Sequence, residues 1–385
     1  MFWGIVSSVQ AATTTWAGLM VCRFLLAIPE AMYGPAVPLY LSYFYPRERV
    51  GLRIGIFLSG SALANAYGGA LAYGISQARG VIAPWRILFL VEGIPSVSHL
   101  LGSKLISLAG LPTMALAVVA YFWLPDGPAT AKFLSERNRE IAIEISLRQP
   151  GDRENDKFQW KQAFGALLDW RSYIPPICYF GCNVCFASLP LFIPTIISEM
   201  GAFTAIQSNG LSAPPYVVCF IAIVVCAFAS DRVGVRGPFV AGAALVAAIG
   251  YILLATQTTV GVRYFGFFLA TIIFASVALL LVWVSNTHAT DSKRAAGLAI
   301  LATGGQCGPV LGTNIFPANE APFYRKGMWI SCGACLLVFF LAILQSYLLW
   351  RENKKRDAKY GKERDTTYIP VQSELGDDKY FRFII

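Results

Sequence analysis

Uninterrupted apolar stretches, each about 18 to 25 residues long, recur along this sequence and constrain it more than any other feature. A helix needs about 20 such residues to cross roughly 30 Å of hydrocarbon, and inside a bilayer its backbone groups must satisfy one another. Runs of this length are not the alternating segments of about ten residues that build a transmembrane barrel. Only 14% of residues are charged and 56% are hydrophobic. A soluble fold needs more polar surface than that, and a disordered chain has far fewer apolar groups. The chain therefore reads as an all-α membrane protein.

We place ten spans at roughly 1–15, 17–44, 53–77, 85–123, 173–198, 211–229, 238–256, 261–284, 296–316 and 328–350. A charged segment, 125–172, separates the fourth from the fifth, and a charged tail follows Trp350. This divides the chain into a first group of spans (1–124), a central loop (125–172), a second group of six spans (173–350) and a tail (351–385). The net charge is +9. Its basic residues fall in short connections, so they set membrane orientation and do not suggest nucleic acid as a partner. Arg47, Arg49 and Arg53, the segment 132–171, Arg232 and Arg236, Lys293 and Arg294, and the tail share one side. Lys and Arg favour the cytoplasm, which places the central loop and both termini there.

Two places break the pattern. The chain starts inside an apolar stretch without a basic lead, so we expect upstream sequence. Residues 85–123 would make a helix of about 58 Å, too long for one crossing, and two crossings would invert every later loop. Glu92-Gly93-Ile94-Pro95 is echoed by Ala109-Gly110-Leu111-Pro112. Joining Gly93 to Leu111 restores one ordinary span, so 94–110, with His99 and Lys104, is expected to be a retained intron or a gene-model error.

Charge within a span is costly and commonly faces a cavity or a partner. Arg23 and Glu30 stand two turns apart on one face of the second span, about 10 Å along its axis. A guanidinium fork matches a carboxylate substrate, and a carboxyl shielded from water takes up a proton readily. The pair suits an anion site with a proton relay; a structural ion pair is the other reading. Glu92 is a second candidate for a relay, or a partner of Arg86. Asn183, Gln306 and Asn314 could line a cavity wall or join helices by hydrogen bonds. Asn65 and the glycines of the third span (Gly55, Gly60, Gly68, Gly74) fit close helix packing. In Asp231-Arg232-Val233-Gly234-Val235-Arg236, the acid can cap a helix and the arginines can hold carbonyls or acids of neighbouring helices. The result would be a clasp that latches one conformation.

Cys178, Cys182 and Cys185 have a spacing known from iron–sulfur enzymes, but they sit in a membrane span and read as small buried residues, as do Cys332 and Cys335. The two histidines, His99 and His288, form no ligand cluster, and His288 reads as a loop residue. No cofactor is expected. The sequence has no phosphate-binding glycine loop and no nucleophile–base arrangement, so neither an ATP-driven pump nor an enzyme is expected.

Four stretches carry a resemblance: CRFLLAIPEAMYGPAVPLYLSYFYPRERVGLRIGIF, WRILFLVEGIP with WLPDGPATAKFLSE, SDRVGVRGPF, and WVSNTHATDSKRAAGLAI with YRKGMW. Together they resemble the anion:cation symporter branch of the major facilitator superfamily, and among its members fungal allantoate, nicotinate and pantothenate permeases. The resemblance implies two six-helix halves with about ten of twelve helices present here, corresponding to helices three to twelve. It implies alternating access and proton-coupled uptake of a small organic anion; we expect a monomer in the plasma membrane, with the vacuole as the alternative. Arg23 and Glu30 match the branch's substrate and proton positions, and Asp231, Arg232 and Arg236 its second-half gating motif. The helix that lines the site first, and the first copy of the gating loop, have no counterpart. A drug–proton exporter of the same fold, an inactive remnant and a membrane nutrient sensor are the alternatives.

Overall fold

The computed structural model describes residues 2–76, 86–87, 119–147, 158–201, 203–361 and 381–385. Glu92 and the 94–110 segment, with His99 and Lys104, lie outside them. The described residues are helical and contain no strand. Two compact units are present, one of Met1–Ala36 with Leu71–Glu140 and one of Val37–Ala70 with Ile141–Ile385.

The helices are α1 (Phe2–Ala12), α2 (Trp16–Phe44), α3 (Val50–Ser76), α4 (Glu136–Leu147), α5 (Trp160–Leu168), α6 (Ile174–Met200), α7 (Ala205–Val233), α8 (Gly237–Thr256), α9 (Val260–Ala270), α10 (Ile273–Thr287), α11 (Asp291–Gly305), α12 (Gly308–Gly312) and α13 (Arg325–Tyr360). Eight stretches among the described residues are long and apolar enough to cross a membrane. They coincide with eight of the ten expected spans. The first expected span is α1, whose 11 residues reach only about 16 Å. Most of the fourth lies outside the described residues.

Two expected spans are broken helices. Residues Val260–Thr287 bend between α9 and α10, where the Thr271 hydroxyl donates to Pro215 O at 3.3 Å. Pro214 and Pro215 lie inside α7 and cannot donate to the preceding turn. The carbonyl that Pro215 leaves without an intrahelical donor is Leu211 O, and the Tyr264 hydroxyl of α9 donates to it at 2.9 Å, as a membrane interior requires. Residues Asp291–Gly312 break at Gln306-Cys307, between α11 and α12.

The core of the larger unit lies among α6, α8, α10 and α13. It is built by close approach as well as by bulk. A Cβ at Gly250 of α8 would come within 2.5 Å of Ala270 N on α9, so only glycine allows that contact. In the same unit α3 runs along α7 on small residues. Gly55 faces Ala227, and a Cβ at Gly69 would stand 2.9 Å from Asn209 O. Of the glycines singled out in the third span, Gly55 serves this seam, while Gly60 and Gly68 face open space.

Candidate functional site

Arg23 and Glu30 both lie on α2, within the smaller unit, and both are exposed. The helix runs unbroken through Pro29, so the two-turn spacing holds and both side chains project from one face. Neither is packed into a helix–helix core, where a lone charge would be most costly.

A clasp is built in the α7–α8 turn. Gly234 ends α7 with φ of 76°, a left-handed conformation that glycine adopts without strain. The turn folds Arg236 back against Asp231, Nη1 to Oδ1 at 2.5 Å, and onto the Ser230 hydroxyl at 2.9 Å. Arg236 is fully buried. Its Nη2 also donates to Arg47 O at 3.4 Å and Glu48 O at 3.3 Å. Asp231 Oδ2 accepts from Leu52 N at 2.7 Å, so it caps the N-terminus of α3. Gly51 is obligatory here, because a Cβ would overlap Asp231 Oδ1 and approach Arg236 Nη1 to 2.7 Å. One ion pair therefore ties the α2–α3 connection to the α7–α8 turn. Arg232 is exposed.

Asn183 is buried on α6, where its Nδ2 donates to Gly305 O of α11 at 3.1 Å. It joins two helices at the point where α11 breaks. Gln306, at that break, is exposed, and Asn314 is exposed with its Nδ2 on Val310 O at 2.7 Å. Asn65 likewise donates back to Ser61 O at 2.9 Å. A small cavity in the larger unit, about 190 Å³ including its open mouth, is lined by Ser188, Phe192, Tyr251, Phe316 and other mostly apolar residues. It carries no cation and is smaller than ordinary ligand pockets of about 300 Å³ or more.

A second charged network escaped the sequence reading. Asp169 caps the turn before α6 and accepts from Arg171 N at 3.1 Å and Nε at 2.6 Å. Lys293 of α11 reaches its other oxygen at 3.1 Å. Burial raises the Asp169 carboxyl, but the Arg171 hydrogen bonds and both cations outweigh it and hold the group at about 2. Arg294, beside Lys293, donates to Asp291 at 2.9 Å and to Ser42 at 3.0 Å. Lys293 and Arg294 had been read as loop charges; both are buried. The pattern Thr290-Asp291-Ser292-Lys293-Arg294 does signal a helix start, with Thr290 capping Lys293 N at 3.3 Å. What the sequence lacked was the partner acid more than a hundred residues away. Arg263 is another buried charge held by a distant stretch of the chain. It is buried in α9, and its Nη2 donates to Pro322 O at 3.1 Å.

His288 is a loop residue, yet it is only 2% exposed, with Nε2 3.5 Å from the Ser172 hydroxyl. Gly297 leaves room for the ring, since a Cβ there would overlap it. Burial lowers the imidazole to about 3, helped by Lys293, Arg171 and Arg294 and opposed by Asp169. The ring is therefore neutral at physiological pH. Its folded value lies below its ordinary 6.5, so the unfolded chain binds the proton first. Stability is complete above pH 6.5 and falls as acid is added. Between pH 6.5 and 5 the loss should be about 2 kcal/mol. Thermal unfolding at pH 7 and 5 checks this: His288→Gln should flatten that part of the curve, and an unchanged slope would show that another group is responsible.

Cys178, Cys182 and Cys185 are buried in α6, and Cys185 Sγ lies 3.6 Å from Cys335 Sγ of α13. Among the described residues no group of three His, Cys, Asp or Glu side chains could hold a metal ion.

Residues 1–313 match the family model described as Major Facilitator Superfamily. The chain belongs to the major facilitator superfamily. Among relatives in this superfamily, the high-affinity nicotinic acid transporter of Saccharomyces cerevisiae is 31% identical over 92% of this chain and 63% of its own length. The transporter prlL of a fungal species is 33% identical over 89% of this chain and 66% of its own length. The chain thus spans slightly under two thirds of either relative. Solved structures share the fold: the proton:xylose symporter XylE, with a TM-score of 0.65 at 14% identity, covers 91% of this chain and 77% of its own. FucP in an outward conformation gives 0.57 at 14% identity, over 89% and 80%. These relatives and neighbours are transporters, not enzymes, and the chain is a multi-pass membrane protein of the same superfamily.

Proposed function

We propose that the protein is a secondary transporter that takes up a small organic anion together with protons. The substrate would be a carboxylate or vitamin-like compound of the kind represented by nicotinate, pantothenate or allantoate. The observation that carries this reading is the spacing of Arg23 and Glu30 on α2, two turns apart on one helical face inside a span. Arg23 binds the carboxylate through its planar fork and Glu30 carries the proton. Gln306, exposed at a broken helix, lines the path; freed backbone next to a helix break is a recurrent feature of transporter sites. Asn183 holds that break in place. The Asp231–Arg236 clasp is the gate at the basic end, and its contact with the α2–α3 connection is the closed state of that end.

In this reading 1–124 belongs to the first helical half and 173–350 is the second. The loop 125–172, the tail and both termini face the cytoplasm, and the monomer sits in the plasma membrane. The nicotinic acid transporter among the relatives supports an anionic substrate. The test is uptake of labelled nicotinate by cells expressing the complete gene, with unlabelled competitors. Organic acids should compete and lipophilic organic cations should not. Competition by cations alone would point instead to a drug–proton exporter.

A further inference from the structure

Residues Phe381–Ile385 fold back onto the basic end of the larger unit. Phe381 and Phe383 are each 5% exposed, although they follow a long charged tail. Their rings pack edge to face with centroids 5.3 Å apart. The Arg47 guanidinium lies 4.3 Å above the Phe381 ring, and Phe383 sits between Arg171 at 4.6 Å and Arg356 at 4.7 Å. Cations over aromatic faces in a desolvated setting attract strongly. The backbone is matched as well. Asn353 donates to Phe383 O at 2.8 Å and accepts from Phe383 N at 2.9 Å, as a neighbouring strand would. Trp283 Nε1 donates to Ile384 O at 3.0 Å. Two further contacts bear on the gate: Arg236 N donates to Ile385 O, and Arg47 donates to Arg382 O.

Arg47 and Arg236 lie on the two sides of the clasp. Arg47 belongs to the α2–α3 connection, Arg236 to the α7–α8 turn, and opening that end must separate them. We infer that residues 381–385 form an autoinhibitory strap, which bridges Arg47 and Arg236 and holds the clasp shut until it is released. The alternation Phe-Arg-Phe serves this purpose, because an extended chain turns both rings to one face and leaves Arg382 on the other. The inhibitory role rests on reading the clasp as a gate; the strap itself does not.

Hydrogen–deuterium exchange of the full chain in nanodiscs, read by mass spectrometry, tests it without requiring transport. In the intact protein the amides of 381–385 should be protected. In the double variant Phe381→Ala/Phe383→Ala, peptides covering 47–55 and 231–240 should exchange at least about threefold faster, while 243–255 stays unchanged. Asn353→Ala, which removes the anchor from the opposite side, should do the same. Unprotected 381–385 amides in the intact protein, or clasp peptides unmoved in both variants, would overturn the strap. Labelled nicotinate uptake should rise, because both variants keep the Asp231–Arg236 pair that still closes this end in each cycle. Faster clasp exchange with unchanged uptake would overturn the gate reading and leave the strap standing.

Discussion

Glu30→Gln is expected to abolish the acid stimulation of uptake. Glutamine keeps the shape and polarity of the side chain but cannot bind and release a proton. The parent should take up labelled carboxylate at least about tenfold faster at pH 5 than at pH 7.5, the response of a carrier that must be protonated in each cycle. The variant should give a flat profile, with exchange of internal for external anion preserved. Arg23→Lys makes the complementary test. Lysine keeps the charge but loses the two-pronged geometry, and a charged hydrogen bond contributes about 1.5–3 kcal/mol. Apparent affinity should therefore fall by roughly ten- to a hundredfold, with the pH profile intact. A pH profile unchanged by Glu30→Gln would remove Glu30 from the mechanism.

Asp231→Asn should have an effect of similar size for a different reason. Arg236 is fully buried, and the aspartate is its counter-ion. Breaking a buried pair by removing one partner costs about 3–5 kcal/mol, because the remaining charge is left uncompensated. The Leu52 cap on α3 weakens at the same time. If the clasp is the proposed gate, only its closed state contains these contacts, and the cost falls on that state. A shift of 3 kcal/mol changes the ratio of closed to open by over a hundredfold. The carrier should stall with that end open, and uptake should drop by at least about tenfold while the protein still reaches the membrane. Trypsin should cut faster at Arg47 and Arg49. Full uptake with unchanged proteolysis would show that the ion pair is ornamental to the cycle.

How much was legible before any coordinates follows a physical line. Span positions were readable because a bilayer imposes a length and a hydropathy on every crossing, as in α6, α7 and α8. The clasp was readable because Asp231, Gly234 and Arg236 are neighbours in sequence, and a glycine turn fixes how they meet. Partners at long range were not. Asp169 and Lys293 are held together by helix packing, and no local pattern announces that Lys293, a loop charge by composition, is buried. The burial of His288 and Arg263 was hidden for the same reason. Breaks within spans were also hidden. Nothing in the hydropathy of 260–287 marks the interruption at Thr271, whose hydroxyl meets Pro215 O on another helix. The burial of Phe381 and Phe383 lay beyond reach because a charged tail ordinarily predicts solvation.

The central claim is that an organic anion and a proton move together past Arg23 and Glu30. Its most direct test is a simultaneous record of labelled nicotinate entry and internal acidification in vesicles containing the complete gene product. The account predicts that adding the carboxylate acidifies the interior in proportion to anion taken up, and that Glu30→Gln separates the two. Nicotinate entry without acidification in the parent, or acidification that persists in Glu30→Gln, would contradict it.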